Sequence, residues 1–268
     1  MKIGKHTVPR TSICTSDAHT IVVRGKDLSK ELIGRVSFVD HFFLLLTGRM
    51  ATPGEAAVLN ATLVAIAEHG LVPSVQAARM TFAAAPDAMQ GAVAAGVLGC
   101  GTVVLGSSET AGRMYSEIDA QAQAGTPLDT AALAVMQAWR AAGRTIPGYG
   151  HPLHKERDER VGALFEVARA AGTDLRFVAI AEAVEARMPE VLNKPLKLNV
   201  SGAIPAVLLG AGFPVEALKG VPILARTAGL IAHLYEEIRQ PIGFALSYQA
   251  TREMEYEGTV PEGFGAAA

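Results

Sequence analysis

The strongest constraint on this chain is its recurring helix punctuation. Thr52-Pro53-Gly54-Glu55 puts a hydroxyl at an N-cap, proline in the first turn and a carboxylate three residues on. Ala56 to Glu68 then follows without a breaker. Ser37-Phe38-Val39-Asp40 has the same reciprocal spacing ahead of His41 to Leu46, with Gly48 as a C-terminal stop. Thr126-Pro127-Leu128-Asp129 repeats the device, and Gly143 closes the run from Ala131 to Arg140. Asp174 starts a helix through Met188, and Pro214 and Pro222 each suit a first turn, the second leading Ile223 to Arg239. Only His19 to Arg24 reads as β, and no second run alternates. The pattern predicts an all-α fold with at most a small hairpin near the start.

Composition agrees. The chain has 268 residues, half of them apolar and 19% charged, enough to bury a sizeable core in one or two domains; a disordered chain is excluded. With 24 basic and 26 acidic residues, no global positive field exists to hold nucleic acid or an anionic membrane. Cys14 and Cys100 are too few for a disulfide framework and lack metal-type spacing. No apolar run follows the polar start, so a cytoplasmic protein is expected. Ala88 to Ser108 carries no charge and is long enough to span a bilayer. Its five glycines and few large side chains would insert poorly, and it reads instead as a core helix over 88–106 that neighbours approach closely.

Chemistry concentrates in Pro147-Gly148-Tyr149-Gly150-His151-Pro152-Leu153-His154-Lys155-Glu156-Arg157-Asp158. Glycines on both sides of Tyr149 allow close approach to a ligand, and Pro152 suits a helix start. His151 then stands at a helix entrance, where N–H groups and the dipole favour an anion or a developing enolate, while Lys155 and Arg157 add charge for phosphates. An ordinary Gly-Pro turn opening a solvated helix fits the same residues. His151 and His154 are an i,i+3 pair, yet no further Cys/His cluster completes a ligand set, so no metal is expected. Gly101 to Gly106 mimics a phosphate loop but is followed by Ser107-Ser108, not by the required lysine. His69, after Glu68, reads as a helix-end cation. Arg226 and His233 share one face of the 223–239 helix, and an arginine among Ala225, Ala228, Gly229 and Leu230 is costly to bury unless it meets a carboxylate, from a substrate or from the protein.

In order along the chain, these segments resemble the citrate synthase superfamily, and most closely its short branch, the citryl-CoA lyase module that also ends ATP-citrate lyase. The likeness spans roughly Ile21 to Gly243. Its anchors are Val23-Arg24-Gly25-Lys26-Asp27-Leu28, Leu45-Leu46-Thr47-Gly48-Arg49, Glu68-His69-Gly70, Gly148-Tyr149-Gly150-His151, Leu198-Asn199-Val200-Ser201-Gly202 and Ala225-Arg226 to His233. The resemblance implies an all-α, citrate synthase-like fold, with a large domain from 1–106 and 209–268 and a smaller domain, 107–208, inserted in it. It implies a homodimer with its substrate in the cleft between domains; helix 223–239, apolar on more than one side, suits such an interface. Coenzyme A enters as part of the substrate, against Gly148, Tyr149, Gly150, Lys155 and Arg157, and no cofactor is bound permanently. By the same resemblance His151 hydrogen-bonds the reacting oxygen, His69 and Arg226 contact substrate carboxylates, and Arg239 reaches in from the neighbouring subunit.

Two departures bear on the reaction. Val104 stands where full citrate synthases carry a histidine, as in the lyase branch. Ser201 stands where the family has its catalytic aspartate, and a serine is no carboxylate base near neutral pH. The expected activity is therefore retro-aldol cleavage of a 3-hydroxy-acyl-CoA, citryl-CoA to acetyl-CoA and oxaloacetate or a related reaction, with His69, His151 and Ser201 at the reacting centre. A condensing enzyme of the citrate synthase kind is the near rival, and a non-catalytic CoA- or carboxylate-binding homologue the distant one.

Overall fold

The computed structural model describes residues 8–101, 105–150 and 157–264. Among these the protein is helical apart from a small antiparallel sheet, β1 (Cys14–Ser16), β2 (Ile21–Val23) and β3 (Lys26–Asp27), in sequence order. The helices are α1 (Phe38–Thr47), α2 (Pro53–Ala67), α3 (Pro73–Ala84), α4 (Met89–Leu98), α5 (Gly106–Gln123) and α6 (Leu128–Ala141). They continue with α7 (Glu159–Ala170), α8 (Arg176–Leu192), α9 (Val200–Gly210), α10 (Gly220–Arg239) and α11 (Gly243–Glu253). No described helix is long and apolar enough to cross a membrane.

Both predicted capping boxes form. Ser37 and Asp40 close the start of α1, Thr52 and Glu55 that of α2, and Gly48 ends α1 at a φ of 77°. Three expectations are corrected. Thr126 does not cap α6: its N–H turns back to Gln121 O to finish α5, and Pro127 takes the N-cap position with no side-chain bond. The helix opened by Asp174 runs beyond Met188, through Pro189 to Leu192, where Asn193 stops it in the left-handed region. The expected helix over 88–106 ends at Leu98, ahead of Gly99 and Gly101, and within α4 only Ala92 and Gly96 are buried.

The described chain forms two compact units: residues up to 68 with 101–225, and 69–100 with 226 onward. In the first, α5, α6, α8 and α9 pack on one another around Tyr115, Met136, Ile180, Met188 and Ile204. In the second, α3 packs on α4 and α11, around Val75, Phe82, Ala92, Leu230 and Leu234.

Candidate active site

In the first unit, two segments distant in sequence are stapled together. The Gly148-Tyr149-Gly150 loop lies against 197–202, with Tyr149 and Leu198 paired as an isolated β-bridge. The Gly150 N–H donates to Lys197 O at 2.7 Å and the Asn199 N–H to Gly148 O at 3.0 Å. Gly148 (φ +86°) and Gly202 cross so closely that a Cβ on Gly148 would stand 2.6 Å from Gly202 Cα. Tyr149 is buried beneath the loop. Its hydroxyl donates to Ala181 O and accepts from the Tyr115 hydroxyl, both at 2.8 Å, and burial pushes both phenols well above their ordinary pKa. The tyrosine thus pins the loop from below.

That crossing sets the start of α9 beside the segment leading into His151. Asn199 caps α9, accepting the Ser201 N–H at 2.9 Å, so Ser201 sits half-buried in the first turn. Asp158, the N-cap of α7, accepts from Arg160 Nη2 at 2.7 Å and from the Val200 N–H at 3.3 Å. Arg157 is engaged by Glu185 and, at 3.9 Å, by Glu182, while Lys197 stands 3.8 Å from Glu185. These groups line a cleft of about 530 Å³. His151 and Lys155, with the helix start expected at Pro152, lie outside the described residues, as does Val104.

The second unit holds the other predicted residues. His69 is exposed just beyond the end of α2. Arg226 on α10 is only 5% exposed, and its Nε and Nη1 have no hydrogen-bond partner. A buried guanidinium with two open N–H groups is what a carboxylate site requires, and among the described residues no carboxylate pairs with it. Arg239, at the far end of α10, is exposed and rests on the Tyr235 ring.

Residues 10–243 match the family model described as citrate synthase, C-terminal domain. The chain belongs to the citrate synthase family. It is similar to the citryl-CoA lyase of Hydrogenobacter thermophilus, at 32% identity and a TM-score of 0.83 over 96% of this chain and 97% of that one. The fold is shared by the ATP citrate lyase of Methanothrix soehngenii, solved with citrate and coenzyme A, at 24% identity and a TM-score of 0.76 over 97% of this chain and 43% of that one. By sequence it is similar to the citrate synthase of Haloferax volcanii, at 24% identity over 74% of this chain and 50% of that protein. The chain spans about half the length, or less, of the curated relatives it matches.

In this citrate synthase-family chain, Asp158 is a carboxylate in contact with the start of α9, through the Val200 N–H. Burial opposes its charge, but Arg160 and the Val200 N–H outweigh burial and hold its carboxyl below the ordinary range. A carboxylate so occupied is a weak base. Sequence reasoning passed over Arg160, whose signal was the Asp158 cap two residues before it, and Ser74. The Ser74 hydroxyl is buried without a partner in the first turn of α3, and Pro73-Ser74 carries no sequence signal beyond a helix start.

Proposed function

We propose that the protein is a citryl-CoA lyase-like enzyme, cleaving citryl-CoA or a related 3-hydroxy-acyl-CoA by a retro-aldol reaction. The observation that carries this reading is the 32% identity to a citryl-CoA lyase across nearly the whole of both chains, whereas the match to a citrate synthase covers only 50% of that protein. In the forward reaction a base removes the tertiary hydroxyl proton and the C–C bond breaks. Oxaloacetate leaves as the ketone, and the electron pair passes to the thioester enolate, which takes a proton to become acetyl-CoA. His151 is the proton acceptor, and His69 and Arg226 hold carboxylates. The Ser201 hydroxyl, in the positive field of the α9 start, serves as a hydrogen-bond donor in place of a base. Gly148, Gly150, Lys155 and Arg157 receive coenzyme A, while Tyr149, buried beneath the loop, supports it from below.

Two features support a homodimer sharing its sites. Arg226 and Arg239 stand more than three turns apart on α10, roughly 20 Å along its axis, so one chain cannot bring both to one small acid. Ile231, Tyr235 and Ile238 also leave an apolar stripe exposed on the same helix, continued by Phe244 and Tyr248 on α11. Incubation of the purified protein with citryl-CoA, with oxaloacetate followed by reduction to malate, tests the activity. Oxaloacetate formation is expected. Condensation of acetyl-CoA with oxaloacetate and no cleavage would favour the synthase reading, and neither reaction the binding homologue.

A further inference from the structure

We propose that Ser74 is a further carboxylate-binding residue, its hydroxyl and the start of α3 joining Arg226 around one acid group of the substrate. The inference rests on the reading of Arg226 as a carboxylate contact. Ser74 is the second residue of α3, 2% exposed, and its hydroxyl has no hydrogen-bond partner among the described residues. A buried hydroxyl left unmet weakens a fold, and alanine would fill the same place without that cost. The helix start around it is also uncapped, since Val72 stands at the N-cap and makes no side-chain bond. Such a start turns backbone N–H groups and the positive end of the helix dipole outward, a setting for an anion. His69, Gly70 and Leu71 just ahead of it are exposed, so this end of α3 is reached from the surface.

Arg226 belongs to the same unit, and the register of α3 against α10 brings it to this end. Arg79 of α3 meets Glu236, Glu237 and Gln240. Five residues earlier, the Ser74 carbonyl lies 3.0 Å from where a Cβ on Gly96 would stand, and Leu230 of α10 lies 2.7 Å from the same point. The two helices therefore run in the same direction, with Ser74 level with Leu230. Arg226 is one turn before Leu230, ~6 Å along the axis, level with the chain that leads into α3. Two buried side chains with unmet donors, one neutral and one charged, thus flank an open helix start. A carboxylate answers both, its charge against the guanidinium and its second oxygen accepting from the hydroxyl.

Ser74→Ala removes the hydroxyl and leaves the packing. Calorimetric titration of the full chain with citrate, oxaloacetate and coenzyme A reads the site, and thermal unfolding without ligand reads the fold. S74A should weaken citrate and oxaloacetate about 10- to 100-fold, leave coenzyme A unchanged and melt no lower than wild type. Unchanged affinity for both acids overturns the proposal, as does a wild-type chain that binds neither. A loss confined to coenzyme A also overturns it, and gives the donors to a phosphate. So does an S74A that melts lower and weakens all three ligands alike, since Ser74 then serves the fold. The functional reading fails separately. Citrate weakened by S74A, with no citryl-CoA cleavage by the wild type, keeps the carboxylate site and rejects the lyase; cleavage with acid affinity unmoved by S74A does the reverse. Should S74A not fold, Ser74→Cys, of similar size and a weaker donor, is read in its place by the same titrations.

Discussion

Arg79 of α3 and Glu237 of α10, 158 residues apart, meet in a buried ion pair with Nε 2.6 Å from Oε2. Glu237 also accepts the Ile242 and Gly243 N–H groups at the start of α11, and Arg79 reaches Glu236 and the Gln240 carbonyl. Burial works to raise the Glu237 carboxyl, but Gly243, Ile242 and Arg79 together hold it below its ordinary value of 4.5. A carboxylate depressed on folding stabilises the protein fully above the unfolded value, and that stability is lost as pH falls through the folded one. Urea midpoints should therefore hold above about pH 5 and drop on further acidification. Arg79→Met should cost about 3–5 kcal/mol at neutral pH, because it strands Glu237, and should flatten the acid limb. An unchanged acid limb would show that Arg79 does not set the Glu237 ionisation.

Arg226 should behave in the opposite sense. It is also a buried arginine, but two of its donors are unmet. Arg226→Met should therefore raise the stability of the free protein by about 1–3 kcal/mol, while abolishing any thermal shift produced by citrate or oxaloacetate. Loss of stability in R226M would mean that the guanidinium is anchored within the protein and is not kept for a ligand.

The Gly148 crossing separates two kinds of glycine. Gly148→Ala meets both a left-handed backbone and the Gly202 Cα, and should cost about 2–4 kcal/mol in urea unfolding. Gly143→Ala, also left-handed (φ +74°) but with nothing within 4 Å of the new Cβ, should cost only about 1–2 kcal/mol. Equal costs would remove the argument that close approach, and not only φ, demands glycine at 148.

Ser201→Asp places a carboxylate in the first turn of α9, where the helix field favours it. If the native site is a weakened form of the family's, citryl-CoA cleavage should rise by about 10²–10⁴-fold. A folded variant that binds CoA and shows no gain would mean that the site was rebuilt around the serine for another substrate.

The proposed sharing of sites between subunits is tested by mixing them. Arg239→Ala and His151→Ala homodimers should each be nearly inactive. After subunit exchange, heterodimers should regain one intact site of two, because each chain supplies what the other lacks. No recovery after confirmed exchange would place Arg239 in its own chain's site or in none.

The capping boxes at Ser37 and Thr52 and the stop at Gly48 were legible in sequence because every partner lies within four residues. The family was legible for a different reason, since its motifs stand in order along the chain. Long-range partners decided the rest. Thr126 looked like a cap until Gln121 O claimed its N–H, and the glycines after Leu98 ended a helix that hydropathy alone would have continued. The sequence showed that Arg226 would be costly to bury without an anion; only the folded chain showed that, among the described residues, its Nε and Nη1 meet none. Asn199 was visible as a letter of a motif, but its bond to Gly150 exists only once α9 and the Gly-Tyr-Gly loop have packed. Local hydrogen bonds can be read from spacing, whereas a contact across 49 or 158 residues depends on the whole core that brings its two ends together.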